Sequence, residues 1–399
     1  MSTVNPSAAY QKKALPGKAS SFGWVALILG VVLAGAGYAM DPLRSQFVSI
    51  MLLMFVAGVA ICPLFMVAIE YLAGVVWSTP IRRIFELMSN LVWFLPIFAL
   101  PVLFNMGNIY EWTYLQNDPI LMRKAPYLNQ TFFIVRFFVI WILWVVFQQL
   151  FVKRSLKQDE TKDQALTAKN IKMSALFIPV FGLSITALSI DFMMSLEPHW
   201  FSTIFGVNFF AGSLVAALAV VAIATILLNE NGYMGKGIVS DHYYNLGFGM
   251  FAGCVFWTYT AFSQGMLIWY ANLPEETPWF IHRWENGWST ITYFLLFVHF
   301  IVPLFGLIQR KNKRSSNRML FMSLWVIFAH MVDLYWIVMP TYGHNPNAHS
   351  HGPTLGLTEL GAVAIAAGVI TLVFTLSAKN KNLIPVGDPK LQRGLNFRL

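Results

Sequence analysis

The 399-residue sequence contains only two cysteines, Cys62 and Cys254, each inside an apolar run. No disulfide framework, zinc knuckle or iron–sulfur ligand spacing can be built from this chain alone, and both thiols read as small core fillers. Charge is equally scarce, at 11% of residues. There is no Walker A loop, no GxGxxG between a strand and a helix, and no CxxCH, which removes phosphate-loop, dinucleotide-binding and c-type haem chemistry. Any electrons handled here would pass through partner subunits or a diffusible quinone.

What the chain has instead is 57% hydrophobic residues, the composition of a polytopic membrane protein. A span needs about 20 mostly apolar residues. Ten runs meet that criterion, at 22–40, 47–73, 84–105, 131–152, 173–195, 203–228, 246–271, 289–308, 319–340 and 357–377. The first is too long for a signal-peptide core and is expected to be retained as a helix. The predicted fold class is therefore all-α with ten transmembrane helices.

The 27 lysines and arginines distribute unevenly over the loops between these runs. One side collects 22, including Lys12, Lys13, Arg82, Arg83 and Lys236, and the other only Arg44, Arg123, Lys124 and Arg283, with Arg136 inside a span. The positive-inside rule places both termini in the cytoplasm. The net charge of +9 then reads as topology and contact with anionic lipid, not as a nucleic-acid site. The outer loops "NMGNIYEWTYLQNDPILMRKAPYLNQ", "NLPEETPWFIHRWENGW" and "PTYGHNPNAHSHGP" are rich in Trp, Tyr, Asn and Pro and read as docking segments. His344, His349 and His351 read as a solvated loop, and no metal site is expected.

An Asp followed seven residues later by a Pro occurs twice, in "DFMMSLEP" and "DLYWIVMP", so that Asp191 and Asp333, like Pro198 and Pro340, lie 142 residues apart. The fifth and ninth runs that carry them point the same way. This suggests two four-helix bundles, helices 2–5 and 6–9, related by an axis along the membrane normal, with helices 1 and 10 peripheral. The expected segments are 1–44 (tail and first helix), 45–199 (first bundle), 200–342 (second bundle) and 343–399 (outer loop, last helix and tail).

A charge at mid-membrane costs about 2.5–3.5 kcal/mol on insertion scales, so both aspartates should face a bundle interior. Helical spacing aligns Ser184, Asp191 and Ser195 on one helix and His330 with Asp333 on another, with Ser323 two turns below. An imidazole beside a carboxylate can pass a proton near neutrality, which makes these six the candidate relay residues. Arg136 is the natural partner of Asp191 or else snorkels outward. Gln264 and His299 are candidate interhelical partners or quinone-pocket groups. Glu70 and Glu86 lie close in sequence to Arg82 and Arg83, and read as an interfacial ion pair or a cytoplasmic proton entrance.

"SIDFMMSLEPHWFSTIFG", "HMVDLYWIVMPTYGH" and the ten-span layout together resemble the NrfD-like membrane subunits, most closely the shorter of the two found in bacterial alternative complex III. That resemblance implies a multi-pass subunit of the bacterial inner membrane, without a covalently bound cofactor, in a complex that oxidises menaquinol or ubiquinol. It implies as partners a second NrfD-like subunit, an iron–sulfur subunit, haem c subunits and a terminal oxidase or cytochrome c acceptor, so that haem and clusters reside in the partners. It implies a proton-conducting role at Asp191, His330 and Asp333, and a working quinol site in the longer sister subunit. Two alternatives stand beside it: a secondary transporter built from parallel repeats, and a purely architectural anchor.

Overall fold

Apolar runs long enough to cross a bilayer fold as helices because lipid offers no partner for a free backbone N–H or C=O. The computed structural model describes residues 15–115, 117–235 and 237–399; Lys12, Lys13 and Lys236 of the charge tally lie outside them. Among the described residues ten helices are long and apolar enough to span: α1 Gly17–Met40, α2 Pro42–Ala73, α3 Thr79–Phe104, α4 Gln130–Thr161, α5 Ala165–Leu196, α6 Phe205–Glu230, α7 Ser240–Ala271, α8 Trp288–Ile308, α9 Ser316–His344 and α10 Leu357–Ala378. The described residues are 79% helical and contain no strand. The chain is an all-α polytopic membrane protein.

Local chemistry sets the helix ends. Asp41 caps α2 by accepting from the Arg44 amide at 2.9 Å, and Gly74 closes it in the left-handed region at φ 68°, the role glycine fills without steric cost. Asn129 caps α4 through the Phe132 amide. α3 is not one regular helix: short 3₁₀ stretches at Thr79–Ile81 and Ser89–Phe94 alternate with α-helical turns, and Pro96 and Pro101 lie in its last segment. In α8 the residues Leu296–Ile301 adopt a π-helical register immediately before Pro303. Proline 303 has no N–H to give the His299 carbonyl four residues earlier, so the ladder widens there.

Packing follows the same ring twice. α2 contacts α3 and α5, and α4 contacts α3 and α5; α6 contacts α7 and α9, and α8 contacts α7 and α9. The first helix of each ring is the central one: most of the apolar core of α2 (83%) and of α6 (78%) is buried, against 11% for α1. α2 and α6 also pack on each other, α2 on α9 and α5 on α6, which joins the rings into one core. The two bundles thus consist of α2–α5 and α6–α9. α9 continues through Pro340 to His344, whereas α5 stops at Leu196, before Pro198. The Asp-to-Pro spacing is equal in the two segments, but the helical conformation is not.

α1 and α10 form a pair of their own along the core's edge. Gly23, Gly30 and Gly37 recur every seven residues on α1 and meet α10, whose Gly361 and Gly368 face Ala34 and Leu27 in return. A methyl group on Gly30 would come within 2.6 Å of the Ile365 amide nitrogen. Such small-residue seams let backbones approach where there is no hydrophobic gain to drive helices together. Gly30→Leu is expected to cost the pair about 1–3 kcal/mol and to speed proteolytic release of α1, while the thermal midpoint of the remaining bundles holds. An unchanged release rate would mean the seam does not hold α1.

The carboxy-terminal tail crosses beneath both bundles on the side where the chain ends emerge. Asp388 accepts from Arg82 Nη2 at 2.7 Å, and the Gly387 amide donates to Asp159 Oδ1. Further along, His242 Nε2 lies 3.1 Å from the Gly394 carbonyl, and the Leu399 amide donates to Asp241. The tail's own Leu383, Ile384, Leu391 and Leu395 are buried.

Candidate functional site in the two bundle interiors

The first bundle places Asp191 on the last full turn of α5, facing α4. Arg136 Nε and Nη2 hold its two carboxylate oxygens at 2.8 and 2.9 Å, a bidentate pair with both side chains almost fully enclosed. The guanidinium also donates to the Tyr127 carbonyl at 2.7 Å and lies 3.8 Å from the centre of the Tyr127 ring. Arg136 therefore turns inward and does not snorkel, because the planar fork matches the carboxylate and the ring face takes what remains of its surface. The serines expected to extend this stripe are used elsewhere. Ser195 donates to the Asp191 main-chain oxygen, and Ser184 accepts from Trp144 Nε1 at 2.7 Å while donating to Phe181 O. Neither hydroxyl reaches a carboxylate oxygen.

The second bundle treats its aspartate differently. Asp333 on α9 is buried, and its Oδ2 accepts from Trp257 Nε1 of α7 at 3.0 Å. His330, one turn earlier, brings Nδ1 to 3.6 Å from the same oxygen, too long for a hydrogen bond. No lysine or arginine pairs with Asp333 among the described residues. His299 from the π-helical stretch of α8 stacks on Trp257 with ring centres 3.8 Å apart, and its centre is 6.3 Å from that of His330. All four imidazole nitrogens of His299 and His330 are buried with no hydrogen-bond partner among the described residues. Gly212 of α6 makes the room: a methyl there would sit 2.6 Å from His330 Nδ1. Ser323, expected two turns below, donates its hydroxyl to the Met250 sulfur at 3.9 Å. Unpaired buried ring nitrogens are costly to maintain, and four of them lie together in this cluster.

A cavity of about 1000 Å³ opens beside it, between α7, α8 and α9. Asp333 and Trp257 lie on its wall, and Gln264 on α7 lines it about two turns from Trp257. Gln264 Oε1 accepts from Ser202 at 2.9 Å. Its amide nitrogen makes no hydrogen bond to the described residues. His299 and His330 do not border the cavity among its lining residues.

Glu70 and Glu86 meet Arg82 and Arg83 in a buried cluster on the termini side. Arg82 reaches Glu70 at 2.9 Å, Glu86 at 3.3 Å and Asp388 at 2.7 Å, while Arg83 reaches Glu86 at 3.1 Å and Asp159 at 2.6 Å. Ser78 and Thr79 donate to Glu70. Asp159 and Asp388 are distant in sequence, and only the helix α4 and the tail bring them here. Nearby, Ser155 Oγ is buried without a hydrogen-bond partner among the described residues.

On the far side, Glu197 joins the two bundle exits. It accepts from Arg283 Nη1 at 3.0 Å and from Thr341 Oγ1 at 3.1 Å, and His282 Nδ1 lies 3.1 Å away. Arg283 also donates to the Ile337 carbonyl and stacks 3.5 Å over Trp279. His344 ends α9 instead of floating in a loop, and its ring lies 3.8 Å from that of His282. Of the other loop histidines, His351 bonds the Gly343 carbonyl and His349 is exposed near Asp41. Burial alone would raise the Glu197 carboxyl, but Arg283, with His282 beside it, more than reverses this and holds it down at about 2. Burial in turn lowers Arg283 to about 10, which leaves the pair ionised at neutral pH. A carboxyl depressed in the folded state contributes stability above its ordinary value near 4.5 and loses it as pH falls towards about 2. Glu197→Gln should therefore lower the thermal midpoint above about pH 5, with the difference from the parent shrinking as pH falls below it; a gap that persists undiminished to pH 3 would contradict this.

Sequence reasoning missed Trp257, Asp159, Asp388 and the Glu197–Arg283 pair. Only the last had a signal, since Arg283 was one of four cations expected on that side and needed a nearby acid. The chain matches no protein-family model and no curated protein.

Proposed function

We propose that this chain is an integral subunit of a quinol-oxidising respiratory complex of the alternative complex III type, and that its second bundle relays protons through Asp333 and His330. The observation that carries the reading is the buried Asp333 cluster, where a carboxylate with no lysine or arginine partner sits beside imidazoles that have no hydrogen-bond partner among the described residues. Intramembrane ionisable groups of this kind are rare and expensive, and mark proton or ion pathways by default. Asp191, locked to Arg136 on both oxygens, takes the structural role in the first bundle. The buried cluster at Glu70, Glu86, Arg82 and Arg83 is the candidate entrance on the termini side.

In this reading the membrane is the bacterial inner membrane and the termini side is the cytoplasm. The charge tally supports it, and so does the fate of the far-side cations: Arg44 pairs with Glu359 at 2.7 Å and Arg283 with Glu197, leaving little free positive charge there. The partners are a second NrfD-like subunit, an iron–sulfur subunit and haem c subunits, which carry the redox centres, with a terminal oxidase or cytochrome c as acceptor and menaquinol or ubiquinol as reductant. Purification in mild detergent tests membership of such a complex. Co-migrating subunits with haem c and iron–sulfur spectra are expected, and a chain that runs alone or with a soluble substrate-binding protein would overturn it.

A further inference from the structure

The loop between α8 and α9, on the side where the chain ends emerge, gathers positive charge and carries nothing of its own to neutralise it. From Arg310 to Arg318 it reads "RKNKRSSNR", with five cations and no acid. Arg314 is met from outside the loop, by Asp241 of α7 and by the Leu399 carbonyl at 3.1 Å. Arg310, Lys311, Lys313 and Arg318 have no carboxylate partner among the described residues. The other long basic stretch, between α4 and α5, is built differently. Asp159, Glu160 and Asp163 are interleaved with its lysines, and Lys153, Lys157 and Lys162 are exposed, which is all that charge setting the topology requires.

Lys313 is set into the structure instead. It is 4% exposed, and its stem lies against Gly247 of α7, where a methyl group would come within 2.9 Å of Lys313 Cγ. Among the described residues its ammonium makes a single long hydrogen bond, 3.4 Å to the Ile308 carbonyl, and it lies 4.9 Å from the centre of the Tyr244 ring. Arg310 and Arg314 reach the same ring, at 5.5 and 6.0 Å. Three cationic heads therefore converge on one aromatic side chain. A ring face attracts a cation but supplies no net counter-charge, and an enclosed ammonium is costly until an anion meets it. Apolar surface adjoins the cluster: the Phe248 ring centre is 5.8 Å from Lys313 Nζ, and Phe248, like Phe305 and Ile308 near the end of α8, is more than half exposed.

We infer that this loop seats the head group of one anionic glycerophospholipid, with its phosphate on Lys313 and Arg310 and an acyl chain along Phe248 and Ile308. Phosphate oxygens accept the unspent N–H groups of both cations, and basic pockets at the ends of membrane helices suit such head groups. The site selects against a zwitterionic lipid, whose own amine would be brought up against the unpaired cations. It stands apart from the respiratory role proposed above and belongs to this chain alone.

Native mass spectrometry of the full chain released from nanodiscs of equal phosphatidylglycerol and phosphatidylcholine tests it, followed by titration of phosphatidylglycerol into the delipidated chain. One phosphatidylglycerol retained per chain is expected, in preference to phosphatidylcholine. Lys313→Met, which keeps the stem and removes the ammonium, should weaken binding about tenfold, the worth of one hydrogen bond to a charged group. Arg310→Gln, at an exposed position that leaves the fold intact, should weaken it about threefold. Lys153→Gln on the first bundle should leave it unchanged. Equal retention of the two lipids, parent affinity in either Lys313→Met or Arg310→Gln, or a loss in Lys153→Gln as large as in Lys313→Met would overturn the site, the last by showing diffuse attraction. Displacement of the lipid by millimolar inorganic phosphate would overturn it too, since the ligand would then be a soluble anion.

Discussion

Replacing Arg136 by Ala should destabilise the chain by about 3–5 kcal/mol, because it leaves the Asp191 carboxylate enclosed with nothing to neutralise it. The magnitude follows from geometry: both oxygens are bound at 2.8 and 2.9 Å and the carboxylate side chain is 3% exposed, so water cannot take over. The same account predicts that Arg136→Leu combined with Asp191→Leu recovers most of the loss, since removing both partners of a buried pair is often neutral. Thermal unfolding in detergent reads both. A single Arg136→Ala variant as stable as the parent, or a double variant no better than the single one, would show that the pair does not anchor α4 to α5.

The second large effect is on turnover rather than stability. Asp333→Asn keeps the size of the side chain and can still accept from Trp257 Nε1, so the fold around α7 and α9 should survive with an unchanged thermal midpoint. It cannot carry a proton. In the assembled complex quinol oxidation coupled to proton movement should fall by at least about 10²-fold, the range in which positioned acid–base groups act. Asp333→Glu restores the titratable group one methylene further out and should recover part of the rate. Activity equal to the parent in Asp333→Asn would reduce the second bundle to a scaffold.

The number of helices and the inward direction of both aspartates were legible in the sequence because each depends on a large energy: about 20 apolar residues per span, and the cost of showing a carboxylate to lipid. The grouping into helices 2–5 and 6–9 was suggested by the equal spacing of Asp191 and Asp333, but the ring of neighbours within each group was not legible. Nor was the rotation of one helix against another. Nothing in the periodicity of α7 says that Trp257, and not Thr260 or Ser263, meets Asp333. The divergence of the twin aspartates was likewise hidden, since Arg136 could have snorkelled on its position alone, and only the placement of Tyr127 and Asp191 turns it inward. The seven-residue glycine spacing of α1 was a visible signal for the α1–α10 seam and went unread. His344 was misplaced because Pro340 suggested a helix end, whereas α9 runs through it.

The most direct test of the central claim is the number of protons moved per electron by the complex in sealed liposomes, compared between the parent and Asp333→Asn at matched electron flux. The account predicts a lower ratio in the variant, with the ratio in Asp191→Asn closer to the parent. Identical ratios in parent and Asp333→Asn would contradict it.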